Sequence, residues 1–119
     1  MLIKTFFLIM LLSLFQPEPP PGTVEVYYEV NSTNWYAEIE YIDPDGELHT
    51  DLIMGMPRYG WAKTFYMEPG PWSFAAVGIK AHSRGTSCRV TIDGVLIQKD
   101  RDIGEDPMSN CSGPVKFAD

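Results

Sequence analysis

Residues 88–97 read Cys-Arg-Val-Thr-Ile-Asp-Gly-Val-Leu-Ile. Cys88, Val90 and Ile92 alternate with Arg89 and Thr91, which is the period of an extended strand with one buried face. Asp93-Gly94 is the dipeptide that closes a two-residue β-hairpin, because both positions tolerate the positive φ such a turn needs. Val95 to Lys99 then form the returning strand. The same period runs back towards the N-terminus. Val24, Val26, Tyr28 and Val30 alternate with Glu25, Tyr27 and Glu29, and Ala37, Ile39 and Tyr41 with Glu38 and Glu40.

Turn chemistry separates the runs. Asp43-Pro44-Asp45-Gly46 divides the second strand from a third, Glu47 to Met54, with Leu48, Leu52 and Met54 on one face. Residues 55–60 precede a fourth, Trp61 to Met67, which places Trp61, Phe65 and Met67 on one side. Glu68-Pro69-Gly70-Pro71 leads into a fifth, Trp72 to His82. From Asp100 onward the sequence is polar and reads as irregular. The expectation is an all-β domain, a seven-stranded antiparallel immunoglobulin-like β-sandwich, with a partly open barrel as the alternative.

Composition agrees. The chain has 119 residues, with ten Gly and ten Pro, a load suited to short strands and turns. Nine Lys and Arg against sixteen Asp and Glu leave a net charge of −7. That balance excludes nucleic-acid binding as the main role, since such affinity rests on basic patches.

Before the strands comes Met1-Leu-Ile-Lys-Thr-Phe-Phe-Leu-Ile-Met-Leu-Leu-Ser-Leu-Phe15. One cation followed by a short apolar run is the layout of a secretory signal, and it is shorter than a spanning helix requires. Residues 1–16 are read as a signal peptide or a short membrane anchor, with cleavage left open. Residues 17–22, rich in proline, form an extended linker. Residues 23–119 are the domain. The expected location is periplasmic, cell-envelope or extracellular. Two cysteines in a chain with that leader point to a disulfide between Cys88 and Cys111.

Cys88-Arg89-Val90-Thr91-Ile92-Asp93-Gly94, with a lone cysteine seventeen residues past the glycine, resembles the C-terminal domain of the mycobacterial MmpS membrane proteins. Tyr28-Glu29-Val30, Ala37-Glu38-Ile39-Glu40-Tyr41 with Asp45-Gly46, Trp61, and Ile79-Lys80-Ala81-His82 fit the same pattern. Tyr59-Gly60 departs from it, standing where the family carries Leu-Pro. The resemblance implies a small disulfide-stapled sandwich with no catalytic residues. It also implies an extracytoplasmic accessory role beside a large resistance-nodulation-division exporter of lipids or siderophores.

Chemistry-bearing residues are otherwise sparse. His49 and His82 lack the serine or cysteine context of a nucleophilic site. Glu25, Glu29, Glu38 and Glu40 are expected on the polar side of two adjacent strands, as a solvated outer face. Asp43-Pro44-Asp45-Gly46-Glu47 echoes the front of a calcium loop, but lacks its remaining ligands and reads better as a turn. Asp100, Asp102, Glu105 and Asp106 read as a solvated acidic loop. No cofactor, metal or catalytic residue is assigned. The surplus aromatics Trp35, Tyr59 and Trp72 fall in or beside loops and are candidate partner contacts. The expected function is a non-enzymatic accessory protein, with a secreted binding module for a glycan or surface protein as the alternative.

Overall fold

A computed structural model describes residues 19–33, 36–54, 60–82 and 84–117. The apolar segment 1–16, the start of the linker, Trp35 and Tyr59 lie outside the described residues.

Eight strands build two antiparallel sheets: β1 (Val24–Ser32), β2 (Tyr36–Ile42), β3 (Leu48–Met54), β4 (Trp61–Met67), β5 (Phe74–Ala81), β6 (Gly85–Ile92), β7 (Val95–Ile103) and β8 (Met108–Pro114). One sheet has the order β4-β1-β6-β7 and the other β3-β2-β5-β8. The expected alternation holds. Val24, Val26, Tyr28 and Val30 of β1, Ala37, Ile39 and Tyr41 of β2, and Cys88, Val90 and Ile92 of β6 are all buried between the sheets. Asp93 and Gly94 both have positive φ, at 49° and 79°, which is the geometry expected of the β6–β7 hairpin. The hairpin is tied to β1: Asp93 N–H donates to the Glu25 carbonyl at 2.8 Å, and Glu25 N–H donates to Asp93 Oδ1 at 2.9 Å.

Three expectations need correction. The strand count is eight, not seven, and the sheets are four plus four, where a constant-type immunoglobulin domain has four plus three. The region beyond Asp100 is not irregular. β7 continues to Ile103, and Met108–Pro114 is a full strand paired with β5 from Phe74↔Pro114 to Lys80↔Met108. Strand β8 was hidden because its buried positions are Ser109, Cys111 and Gly113, which carry no apolar pattern to read. The glutamates, finally, do not share a face. β1 and β2 belong to different sheets, so Glu25 and Glu29 point outward on one side of the molecule and Glu38 and Glu40 on the other.

Tyr28 links the two layers. Its ring belongs to β1, yet its hydroxyl reaches the opposite sheet. There Ala76 N–H donates to the hydroxyl oxygen at 3.1 Å, and the hydroxyl donates to the Ile42 carbonyl at 2.9 Å. It acts as a rung just past the last β2–β5 pair, Tyr41↔Val77. Burial pushes the Tyr28 phenol up to about 12, because the phenolate would lose its hydration.

Candidate functional site

The disulfide crosses between the sheets. Cys88 of β6 and Cys111 of β8 have Cα atoms 6.0 Å apart and stand 23 residues apart in sequence. Two residues before each cysteine, Thr86 Oγ1 and Ser109 Oγ form a buried hydrogen bond of 2.8 Å across the same gap. Every buried side-chain polar atom among the described residues has a partner. Cys88 and Cys111 are structural, with neither thiol available for chemistry.

Beside the disulfide, β7 treats its acids in a way the sequence did not suggest. Gln98, Asp100 and Asp102 pair in register with Val90, Cys88 and Thr86, so they share the inward face of that sheet. Their oxygens meet the outer amides of β8. Ser112 N–H donates to Gln98 Oε1 at 2.7 Å, Asn110 N–H to Asp100 Oδ2 at 3.1 Å, and Met108 N–H to Asp102 Oδ2 at 2.9 Å. A ladder of side chains thus occupies the edge of β8 that would otherwise offer bare N–H groups to another strand. Asp100 and Asp102 belong to this ladder, not to a solvated loop. The signal in the sequence was the spacing of two between 98, 100 and 102, matched by 108, 110 and 112.

The two histidines sit at separate places. His49 Nε2 lies 2.6 Å from Asp43 Oδ2, and its ring stacks on Tyr41 with centroids 5.3 Å apart. Asp43 Oδ1 accepts from the amides of Asp45 and Glu47, each at 2.9 Å. The Glu47 amide, the His49 side chain and the Asp45 amide together hold the Asp43 carboxyl below the usual carboxylate range. Oxygen or nitrogen atoms of Asp43, Glu47 and His49 lie within 4.8 Å of one another, so the trio has the composition of a cation site. Both Asp43 oxygens are already engaged by the hairpin, and the cluster acts as a stitch across the β2–β3 turn. His82 Nδ1 lies 2.7 Å from Asp106 Oδ1, and its ring stacks on Tyr36. His49 lies near the start of β3 and His82 in the connection from β5 to β6, so they do not form one catalytic group.

Of the three candidate contact aromatics, Trp72 is described. It is 94% exposed, on the turn between β4 and β5. Val24 pairs with Met67, so this turn lies at the end of the sandwich where the proline-rich linker enters. Phe74, Leu48, Val95, Leu96 and Phe117 are exposed near the same end. Trp61, on the same side of its strand as Phe65 and Met67, packs against the core partly buried, with its ring 5.3 Å from Tyr41. At the opposite end the outer face of β1, β6 and β7 is hollowed by two adjoining shallow troughs of about 530 and 430 Å³ that share Asn31, Ser87 and Arg101.

No family model matches the chain. Individual relatives do. The chain is 29% identical over 116 aligned residues to the "Probable transport accessory protein MmpS5" of Mycobacterium bovis, covering 92% of this chain and 78% of the relative. The "Siderophore export accessory protein MmpS5" of Mycobacterium tuberculosis matches to the same extent, 29% over 116 residues. The aligned span takes in almost the whole chain, including the cysteine strand and its hairpin. The chain is thus similar, along most of its length, to mycobacterial accessory proteins of the MmpS type.

Proposed function

We propose that the protein is a non-enzymatic accessory component of an envelope export system, acting by binding and not by catalysis. The observation that carries this reading is similarity along 92% of the chain to proteins named for transport and siderophore export accessory roles. The architecture is compatible with it. The domain is closed by an inter-sheet disulfide, which suits an oxidising compartment. In this reading residues 1–16 deliver or tether the domain, residues 17–22 hold it off the membrane, and residues 23–119 meet a large membrane exporter. Trp72 is the contact best supported, since a fully exposed tryptophan at the linker end gains most from being covered. Trp35 and Tyr59 complete the proposed contact set.

The test is recovery of partners from detergent-solubilised native membranes, using the full chain tagged after Asp119. A large multi-span exporter should co-purify, and Trp72→Ala should reduce its yield several-fold. Recovery of the protein alone in the soluble extracytoplasmic fraction, shortened near Gln16, would overturn this reading and leave a secreted binding module.

A further inference from the structure

The chain carries a net charge of −7, yet four of its nine basic residues converge on one face. Arg89, Lys99 and Arg101 point outward from β6 and β7, and Arg84 stands just before β6. Together they line the two adjoining troughs. None of the four takes part in an ion pair among the described residues, where the pairs are His49–Asp43, Lys80–Glu38 and His82–Asp106. Acids stand close by: Glu29 and Asp100 also line the second trough, so the four cations of the two troughs outnumber two carboxylates there. Asp100 and Asp102 alternate with Lys99 and Arg101, and their carboxylates are committed to the β8 amides on the inward face. Glu29 is in register with Arg89, but its carboxylate accepts from the Tyr27 hydroxyl at 3.1 Å.

The register makes the arrangement costly. Arg89 and Lys99 are direct cross-strand partners, and like charges placed so are destabilising. On its other flank Arg89 is in register with Glu29 of β1, which offsets part of that cost. Guanidinium forks are suited to carboxylate and phosphate oxygens. Each trough volume falls within the range of small-molecule sites. Ile103, 67% exposed, supplies an apolar wall beside Arg101.

We propose that this trough binds a soluble organic anion, its carboxylate or phosphate groups held by Arg84, Arg89, Lys99 and Arg101 and its apolar part lying against Ile103. A phospholipid headgroup shares this oxyanion chemistry. The position favours the soluble source: seven residues of extended β1 separate Val24 at the linker end from Asn31 at the trough, about 23 Å. The inference does not depend on the accessory reading, because it concerns a ligand of the purified chain and not an exporter.

The experiment is calorimetric titration of the purified full chain with citrate and with inorganic pyrophosphate, at low and high salt. Vesicles of phosphatidylcholine with and without phosphatidylinositol form a second arm. Saturable binding of a free anion is expected, weakened by salt. Arg89→Gln/Lys99→Gln/Arg101→Gln should raise its Kd at least about tenfold, the equivalent of one charge-assisted hydrogen bond. Lys80→Gln, on the other sheet, should leave it unchanged. The triple variant should unfold at or above the parent's temperature, since the like-charged pair is gone. Arg101→Gln alone, at the junction of the troughs, gives a second reading with the least change to the fold. Binding of neither free anion, equal binding by the variants, or binding of phosphatidylinositol vesicles alone would each overturn the proposal.

Discussion

The two long seams of the sandwich are closed by different chemistry. Along β7 and β8 the closure is polar and covalent: the Cys88–Cys111 bridge, the buried Thr86–Ser109 pair, and the three side chains that take up β8 amides. Along β3 and β4 it is aromatic. Tyr41 packs against Trp61 and Phe65 at centroid distances of 5.3 and 5.8 Å and stacks on His49. Lys63 spans that seam, donating to the Tyr41 hydroxyl at 3.0 Å with its ammonium 4.9 Å from the ring centre. The contrast follows from what each edge has to bury. β8 presents small and polar residues inward and cannot be held by apolar area, whereas β4 brings Trp61, Phe65 and Met67 and can.

That contrast predicts a ranking. Tyr41→Ala removes the ring on which the aromatic seam converges. It should cost about 3–5 kcal/mol in urea unfolding, the range for deleting a buried aromatic. A cost below that of losing the disulfide would reverse the proposed order of the seams. Cys88→Ala/Cys111→Ala should cost about 3 kcal/mol, the chain-entropy value for a loop of this length. Near-ultraviolet circular dichroism should still report the aromatic cluster. Loss of that signal would show the two seams to be one cooperative unit.

Tyr28→Phe leaves the Ala76 amide and the Ile42 carbonyl without their shared partner and should cost about 1–3 kcal/mol. It also has a pH signature. The Tyr28 phenol is raised to about 12 from its ordinary value of 10.0, and the Lys63 ammonium is raised by its hydrogen bond to Tyr41. Both contributions are fully present below about pH 10 and are lost as pH rises through the folded values. Thermal midpoints of the parent should therefore fall between pH 10 and 12, and Tyr28→Phe should flatten that fall. Equal slopes for both proteins would remove Tyr28 as the cause. The smallest effect belongs to Asp100→Ala/Asp102→Ala, about 1 kcal/mol given the exposure of both residues. Hydrogen exchange should locate it, with the Met108 and Asn110 amides exchanging faster than in the parent.

The sequence was readable where the apolar face of a strand is also its inward face; in β3 the apolar phase misled, because Leu48 and Leu52 are exposed and Ile53 packs on the core. β1, β2, β4 and β6 carry their inward residues as Val, Ile, Tyr, Phe and Cys, and the alternation gave them directly. Asp93-Gly94 gave the hairpin. β8 and the far half of β7 were not readable one at a time, because each supplies what the other lacks: acceptors at 98, 100 and 102, and donors at 108, 110 and 112. The cysteine pair was legible from count and context. The basic trough was not. Arg84, Arg89, Lys99 and Arg101 are scattered among acids in the sequence, and only the β6–β7 register sets them on one face.

The pairing of β1 has a consequence for the order of assembly. Its neighbours are β4, from Val24↔Met67, and β6, from Val26↔Ile92. The first strand made is thus central in its sheet, yet β6, its second partner, begins only after residues 33–84 have followed. Local hairpins such as β2–β3 can form early, but the layers cannot close until β6 is available. Such long-range pairing slows folding. Cys88 lies on that late-arriving strand, so its bridge to Cys111 of β8 closes only once the two layers have met.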